Sequence, residues 1–149
     1  IMPTGYSGTP LPRKLGFNDS TRLVVLGEPE GYAALLGPIP TGLERQPGLT
    51  ASTNLVHVFV TQRQDLVRHL GALRATLSPE AVIWVSWPKK ASKVATDVTE
   101  DRIREVALPL GLVDVKVCAV SEVWSGLKLV VRKELRAPGA ALSERPAQT

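Results

Sequence analysis

Two β-branched runs near the C-terminal end, Val113 to Val120 and Leu127 to Arg132, are separated only by Ser121 to Gly126. A connection that short cannot cross over a sheet, so the runs must pair antiparallel as a hairpin. The chain before them alternates. Apolar runs at Leu23 to Leu26, Leu55 to Val60 and Ala81 to Ser86 read as buried strands. Glu30 to Leu36 between them reads as a short helix stopped by Gly37-Pro38. Leu66, Leu70, Leu73 and Leu77 recur at helical spacing behind a Thr61/Gln64 capping box. A third helix carries Val98, Ile103, Val106, Ala107 and Leu110 on one face, with an Asp97/Glu100 capping box before it and Gly111 after it. This order predicts an α/β fold: a Rossmann-like, mostly parallel sheet with helices on both faces and a C-terminal antiparallel hairpin.

The 149 residues suffice for one domain with a real core. Residues 1–20, rich in Gly, Pro and Ser, predict an irregular arm with at most a helical turn near Arg13 to Leu15. Residues 21–136 form the predicted domain, and the Ala/Pro-rich residues 137–149 a disordered tail. No apolar stretch is long enough to span a bilayer, and no secretory signal is visible, so the expected location is the cytoplasm. The single cysteine, Cys118, excludes an internal disulfide and a cysteine-cluster metal site. The net charge of +4 permits an anionic ligand, an acidic partner surface or nucleic acid. With aromatics at 5% and no base-stacking motif, nucleic acid is the least supported of these.

The run Ala81 to Lys93, AVIWVSWPKKASK, points to the working edge of the fold. Pro88 removes a backbone donor and should end the strand, releasing Lys89, Lys90 and Lys93 into a loop. In a parallel sheet all strand C-termini share one edge, where open α/β proteins place ligands. Glu28, Glu30, Thr61, Trp87, Lys89 and Lys90 should meet there, together with Trp124 and Ser125 from the hairpin turn. They predict one crevice with an aromatic wall and cations for an anionic ligand. The structural alternative has the tryptophans capping the core and the lysines in solvent or neutralised by Glu28 and Glu30.

Other candidates read as structural. His57 lies in an apolar strand and reads as a satisfied core histidine. His69 lies on an arginine-bearing helix side and Cys118 reads as an inert core thiol. Asp97, Glu100 and Asp101 fit helix capping better than a metal site. No Ser-His-Asp arrangement can be assembled without arbitrary choices.

The strand-helix order resembles class I S-adenosylmethionine-dependent methyltransferases, shortened by one helix-strand unit between Gly37 and Asn54. Gly5-Tyr6-Ser7-Gly8, Lys14-Leu15-Gly16, Trp84 to Lys90 and Val123 to Lys128 resemble more specifically a family of small bacterial proteins. That family is a domain of unknown function with a methyltransferase-like fold. The resemblance implies a Gly-x-Gly-x-Gly turn after the first strand; here it reads Gly27-Glu28-Pro29-Glu30-Gly31, with Val25 where an acid is expected. It also implies an acid at the end of the second strand for the ribose hydroxyls, a role only Glu44 could take. Cofactor-binding residues would then be Gly27, Glu28, Gly31 and Glu44, with S-adenosylmethionine as the cofactor. Pro29 has no N–H to offer a ligand, and the Asn/Asp-Pro-Pro-Tyr signature of amino methylation is replaced by Phe59-Val60-Thr61-Gln62. Two readings follow: a non-catalytic binding or regulatory module with a basic, aromatic edge formed by Trp87, Lys89, Lys90, Trp124 and Ser125, or a methyltransferase with an altered cofactor turn. No catalytic residue is assigned.

Overall fold

A computed structural model describes residues 8–136. Its strands are β1 (Arg22–Leu26), β2 (Glu44–Arg45), β3 (Leu55–Phe59), β4 (Val82–Pro88), β5 (Leu112–Ala119) and β6 (Trp124–Val131). Its helices are α1 (Leu11–Leu15), α2 (Tyr32–Leu36), α3 (Arg63–Thr76), α4 (Glu100–Ala107) and α5 (Lys133–Arg136). The strands form one sheet in the order β2-β1-β3-β4-β6-β5. The first four are parallel to one another. β6 runs antiparallel between β4 and β5, closing the expected hairpin. Only the two-residue β2 occupies the stretch where a helix-strand unit was expected to be missing.

Side-chain alternation divides the core into two layers. Val24, Val56, Val58, Ile83 and Val85 face α3 and α4, and there Leu66, Leu70, Leu73 and Ile103 are fully buried. Each such leucine contributes about 1.5–3 kcal/mol by leaving water. Leu23, Leu55, Phe59 and Trp84 face α1 and α2 on the other side. Helices therefore cover both faces.

The arm differs from expectation. Residues 11–15 form a helix whose Leu11 and Leu15, with Phe17 after it, are buried in the second layer. The fully buried Trp84 explains this, because its indole N–H needs a partner. It donates to Leu15 O at 2.9 Å, which pins α1 to the sheet. The Gly5 to Gly8 motif up to Ser7, and the tail, lie outside the described residues.

Both capping boxes are corrected. α3 starts at Arg63 without a cap from its own N-cap side chain, and neither Thr61 nor Gln64 supplies one. Asp97 caps it from a distant loop, accepting from Arg63 N at 2.7 Å. That leaves α4 to Thr99, whose hydroxyl accepts from Arg102 N. Cys118 is also corrected: it lies half-buried on the edge strand rather than in the core, and burial holds its thiol pKa up.

Candidate functional site

β4 runs to Pro88, two residues past the predicted end, and Pro88 pairs with Trp124. Lys89 N then donates to Val123 O at 2.7 Å. The chain turns through a 3-10 segment, Lys90–Ser92, held by Ser92 Oγ donating to Lys89 O at 2.6 Å. Lys93 follows with φ +62°, the left-handed region that a non-glycine residue adopts only at a cost. The chain next crosses to the end of β3, where Thr96 Oγ1 and Asp97 N both donate to Thr61 O.

These turns enclose a cleft of about 580 Å³ on the α3/α4 side of the sheet. Trp87 and Pro88 form its wall, Lys90 and Lys93 its cationic rim, and Thr96 and Thr99 its hydroxyl-bearing floor. Among the described residues, no carboxylate comes within ion-pair distance of Lys89, Lys90 or Lys93. Glu100 also borders the cleft, but it is paired with Arg104.

The single aromatic crevice expected from the sequence does not form. Trp87 belongs to the α3/α4 layer and is 8% exposed. Trp124, opposite Pro88, belongs to the α1/α2 layer and meets Phe59 edge-on at 5.0 Å between ring centres. The pleat places residues one ladder step apart on opposite faces, so the two indoles lie back to back across the sheet. Ser125 sits opposite Trp87 in the ladder but does not line the cleft. Neither does Lys89, which is half-buried. The sequence reading missed Lys93, Thr96 and Thr99 as lining residues. Lys93 was visible as the third lysine of the run.

The structural alternative, in which Glu28 neutralises the lysines, is not what the structure shows. Glu28 pairs with Arg45, whose guanidinium lies 5.9 Å from the centre of the Tyr32 ring. Glu44 is misplaced as a ribose ligand. It sits opposite Arg22 at the start of β1, roughly 16 Å along the strand from Gly27 at ~3.3 Å per residue. Gly27 and Gly31 both adopt positive φ, +70° and +78°. A Cβ at Gly27 would press into Phe59 O, so the tight turn after β1 is real.

Beneath this edge lies a closed polar chain. Tyr32 OH meets His57 Nδ1 at 2.8 Å, and His57 Nε2 meets Ser86 Oγ at 2.7 Å. Whichever tautomer His57 adopts, both ring nitrogens are satisfied. His57 is fully buried, and burial pushes its pKa from 6.5 down to about 3. Burial also holds the Tyr32 phenol above its ordinary value, with Arg45 opposing and Glu28 adding to the shift. The chain is a satisfied core element, and none of its three residues lines the cleft. No group of three or more His, Cys, Asp or Glu among the described residues could hold a metal ion. None of the described helices is long and apolar enough to cross a membrane.

A family model described as "Protein of unknown function (DUF3052)" matches residues 52–133, more than half the chain, and takes in β3 through β6 and the cleft. This chain belongs to the DUF3052 family. No curated protein sequence matches it. Among solved structures, the DUF3052 chain is similar to LepI in complex with SAM, with TM-score 0.53 and 12% identity over 89% of this chain and 49% of that one. It is similar to Aeropyrum pernix fibrillarin with natively bound S-adenosyl-L-methionine, TM-score 0.53, 13% identity, 85% of this chain and 70% of that. It is similar also to the B. subtilis tRNA methyltransferase TrmK, TM-score 0.53, 10% identity, 91% and 70%. The chain thus spans about half the length of LepI. At these identities the likeness establishes the fold, a methyltransferase-like Rossmann sheet, and nothing finer.

The cofactor named for LepI and for fibrillarin, S-adenosylmethionine, fits this chain's residues poorly. The turn after β1 carries Pro29 without an N–H, Glu28 is occupied by Arg45, and Glu44 is at the wrong end of the sheet.

Proposed function

We propose that this DUF3052 protein is a non-catalytic binding module on a methyltransferase-like scaffold, and that the cleft beyond β4 takes an anionic small molecule with a flat apolar part. The observation that carries the reading is the pairing of Trp87 with Lys90 and Lys93, cations without a carboxylate partner among the described residues. An aromatic wall holds a planar group, and two ammonium groups hold a phosphate or carboxylate. Lys93 supports it further: its left-handed backbone closes the Lys90–Ser92 turn through a hydrogen bond from Lys93 N to Lys90 O, and this turn carries both cations to the rim of the cleft. An acidic partner surface could use the same cations, but it would leave the recess behind them unfilled.

Calorimetric titration with adenosine monophosphate and with inorganic pyrophosphate tests the reading. Adenosine monophosphate should bind, pyrophosphate more weakly, and Lys90→Ala should weaken both at least tenfold with an unchanged melting temperature. Lys93→Gly should raise the melting temperature, since glycine adopts φ +62° freely, and should still weaken binding. Absence of binding by both probes, or binding indifferent to Lys90 and Lys93, overturns the proposal.

The second reading, a methyltransferase with an altered cofactor turn, is favoured by one observation: the positive φ at Gly27 and Gly31 preserves a sharp strand-to-helix turn. Titration with S-adenosylmethionine separates the two. The expected result is no binding at low-micromolar concentration, and low-micromolar affinity would promote the enzyme reading.

A further inference from the structure

We propose that the free edge of β5 docks an extended strand of a partner protein whose residues alternate between acidic and β-branched. Among the described residues β5 is the last strand of the sheet, and no described strand pairs with its outer backbone groups. Such an edge is a template for strand addition. Val115 and Val117 on it are 54% and 50% exposed, although proteins usually blunt edges with charge. The one charged residue between them is Lys116, next to a register irregularity after Asp114.

Basic residues gather on this edge. Lys116 lies directly opposite Lys128, and Lys128 opposite Trp84, so both lysines face the α1 side. Like charges directly opposite on a sheet are destabilising. Among the described residues, no carboxylate is within ion-pair distance of Lys116, Lys128 or Arg13. Between α1 and β5 lies a cleft of about 360 Å³ lined by Arg13, Lys14, Lys116 and Cys118. Lys14 Nζ donates to Ala119 O at 3.0 Å, holding the basic turn of α1 beside the strand.

The period of two then specifies the partner. Lys116 and Lys128 present positive charge on the α1 side, while Val117, opposite Leu127, presents an apolar group on the other. A strand added to β5 places an acid against Lys116, with Lys128 one strand further in on the same face, and a β-branched residue against Val117. A nucleic acid would neutralise the lysines but has no aliphatic group to cover Val115 and Val117. A second copy of this chain would bring its own Lys116 to the same face, and its strand acid, Asp114, is already held by Arg104 at 3.0 Å.

Fluorescence anisotropy with the full chain and a labelled peptide of alternating Glu and Val tests this. The comparators are a peptide of alternating Lys and Val, a peptide with the same Glu and Val in two blocks, and a single-stranded oligonucleotide. The alternating acidic peptide should bind at least tenfold more tightly than each comparator and slow amide exchange along Leu112–Ala119. Lys116→Glu with Lys128→Glu should lower its affinity at least tenfold and transfer the preference to the Lys-Val peptide. If the double variant does not fold, Lys116→Gln at the exposed position should weaken binding alone. Equal binding of the block peptide or the oligonucleotide overturns the proposal, as does no binding or unchanged exchange on β5. Sedimentation showing the chain paired with itself along β5 overturns it too.

Discussion

Replacing Gly27 by alanine is expected to cost about 3 kcal/mol of folding stability, the largest single effect in the molecule outside the core. Two terms add. At φ +70° an L side chain is disfavoured by about 1–2 kcal/mol. The new Cβ would also press into the carbonyl oxygen of Phe59, with the carbonyl carbon at 3.4 Å. That oxygen belongs to the backbone at the end of β3, so relief requires β1 and β3 to part where they are paired through Leu26 and Val58. Gly31→Ala is the matched control. It shares the left-handed conformation, φ +78°, but its Cβ would meet nothing within 4 Å. Urea unfolding should show a loss of about 1–2 kcal/mol for Gly31→Ala and clearly more for Gly27→Ala. Equal losses would mean that the close approach to Phe59 contributes nothing, and that the turn is held by conformation alone.

Acidification is expected to destabilise the protein through His57. Its folded pKa of about 3 lies below the ordinary 6.5 that the unfolded chain would show. Between those values the unfolded state binds a proton that the native state refuses. Stability is therefore full above pH 6.5 and falls as pH drops toward 3, by at most about 1.4 kcal/mol per unit for a single group. From pH 7 to pH 4.5 this group alone should remove about 2–3 kcal/mol. The cause is geometric as well as dielectric. Both ring nitrogens are engaged by hydroxyls, and Phe59 stacks on the ring at 4.2 Å between centres. Denaturant titrations at stepped pH read the slope directly. His57→Leu removes the titrating group; it should lower stability at pH 7 by leaving Tyr32 and Ser86 unpaired, yet flatten the slope. A slope unchanged in that variant would assign the acid sensitivity elsewhere.

The parts of the fold legible in the sequence were those written in local periodicity. Leu55 to Phe59 and the leucines of α3 were readable because burial on both faces, or on one helical stripe, leaves a repeating signature. The hairpin was readable because its connection is too short for any alternative. What depended on pairing was not. Trp87 and Trp124 occupy the same end of neighbouring strands, but which face each takes is decided by a register that no residue announces. Glu44 sits in a strand of two residues, too short for a period to locate. Asp97 caps a helix that starts 34 residues earlier, although its neighbours imitate a local cap. The lysines of the cleft were conspicuous in the run after Pro88, whereas Thr96 and Thr99 became neighbours of Trp87 only because Thr61 draws that loop over the sheet.

The fastening of α1 carries a consequence for the order in which the molecule is made. Leu15 waits for Trp84, 69 residues later, and Lys14 for Ala119, 105 residues later. A ribosome delivers α1 before the rest of the described sheet, yet its binding surface is complete only after β4 and the hairpin have emerged. Until then Leu11, Leu15 and Phe17 have only Leu23, Tyr32, Leu36, Leu55 and Phe59 of their layer to pack against, without the Trp84 indole that pins α1. Contacts so distant along the chain slow folding, and a nascent chain with that surface open is sticky. Of the described helices, the earliest in the sequence is therefore one of the last to dock, and the vulnerable interval ends only when β5 and β6 are in place.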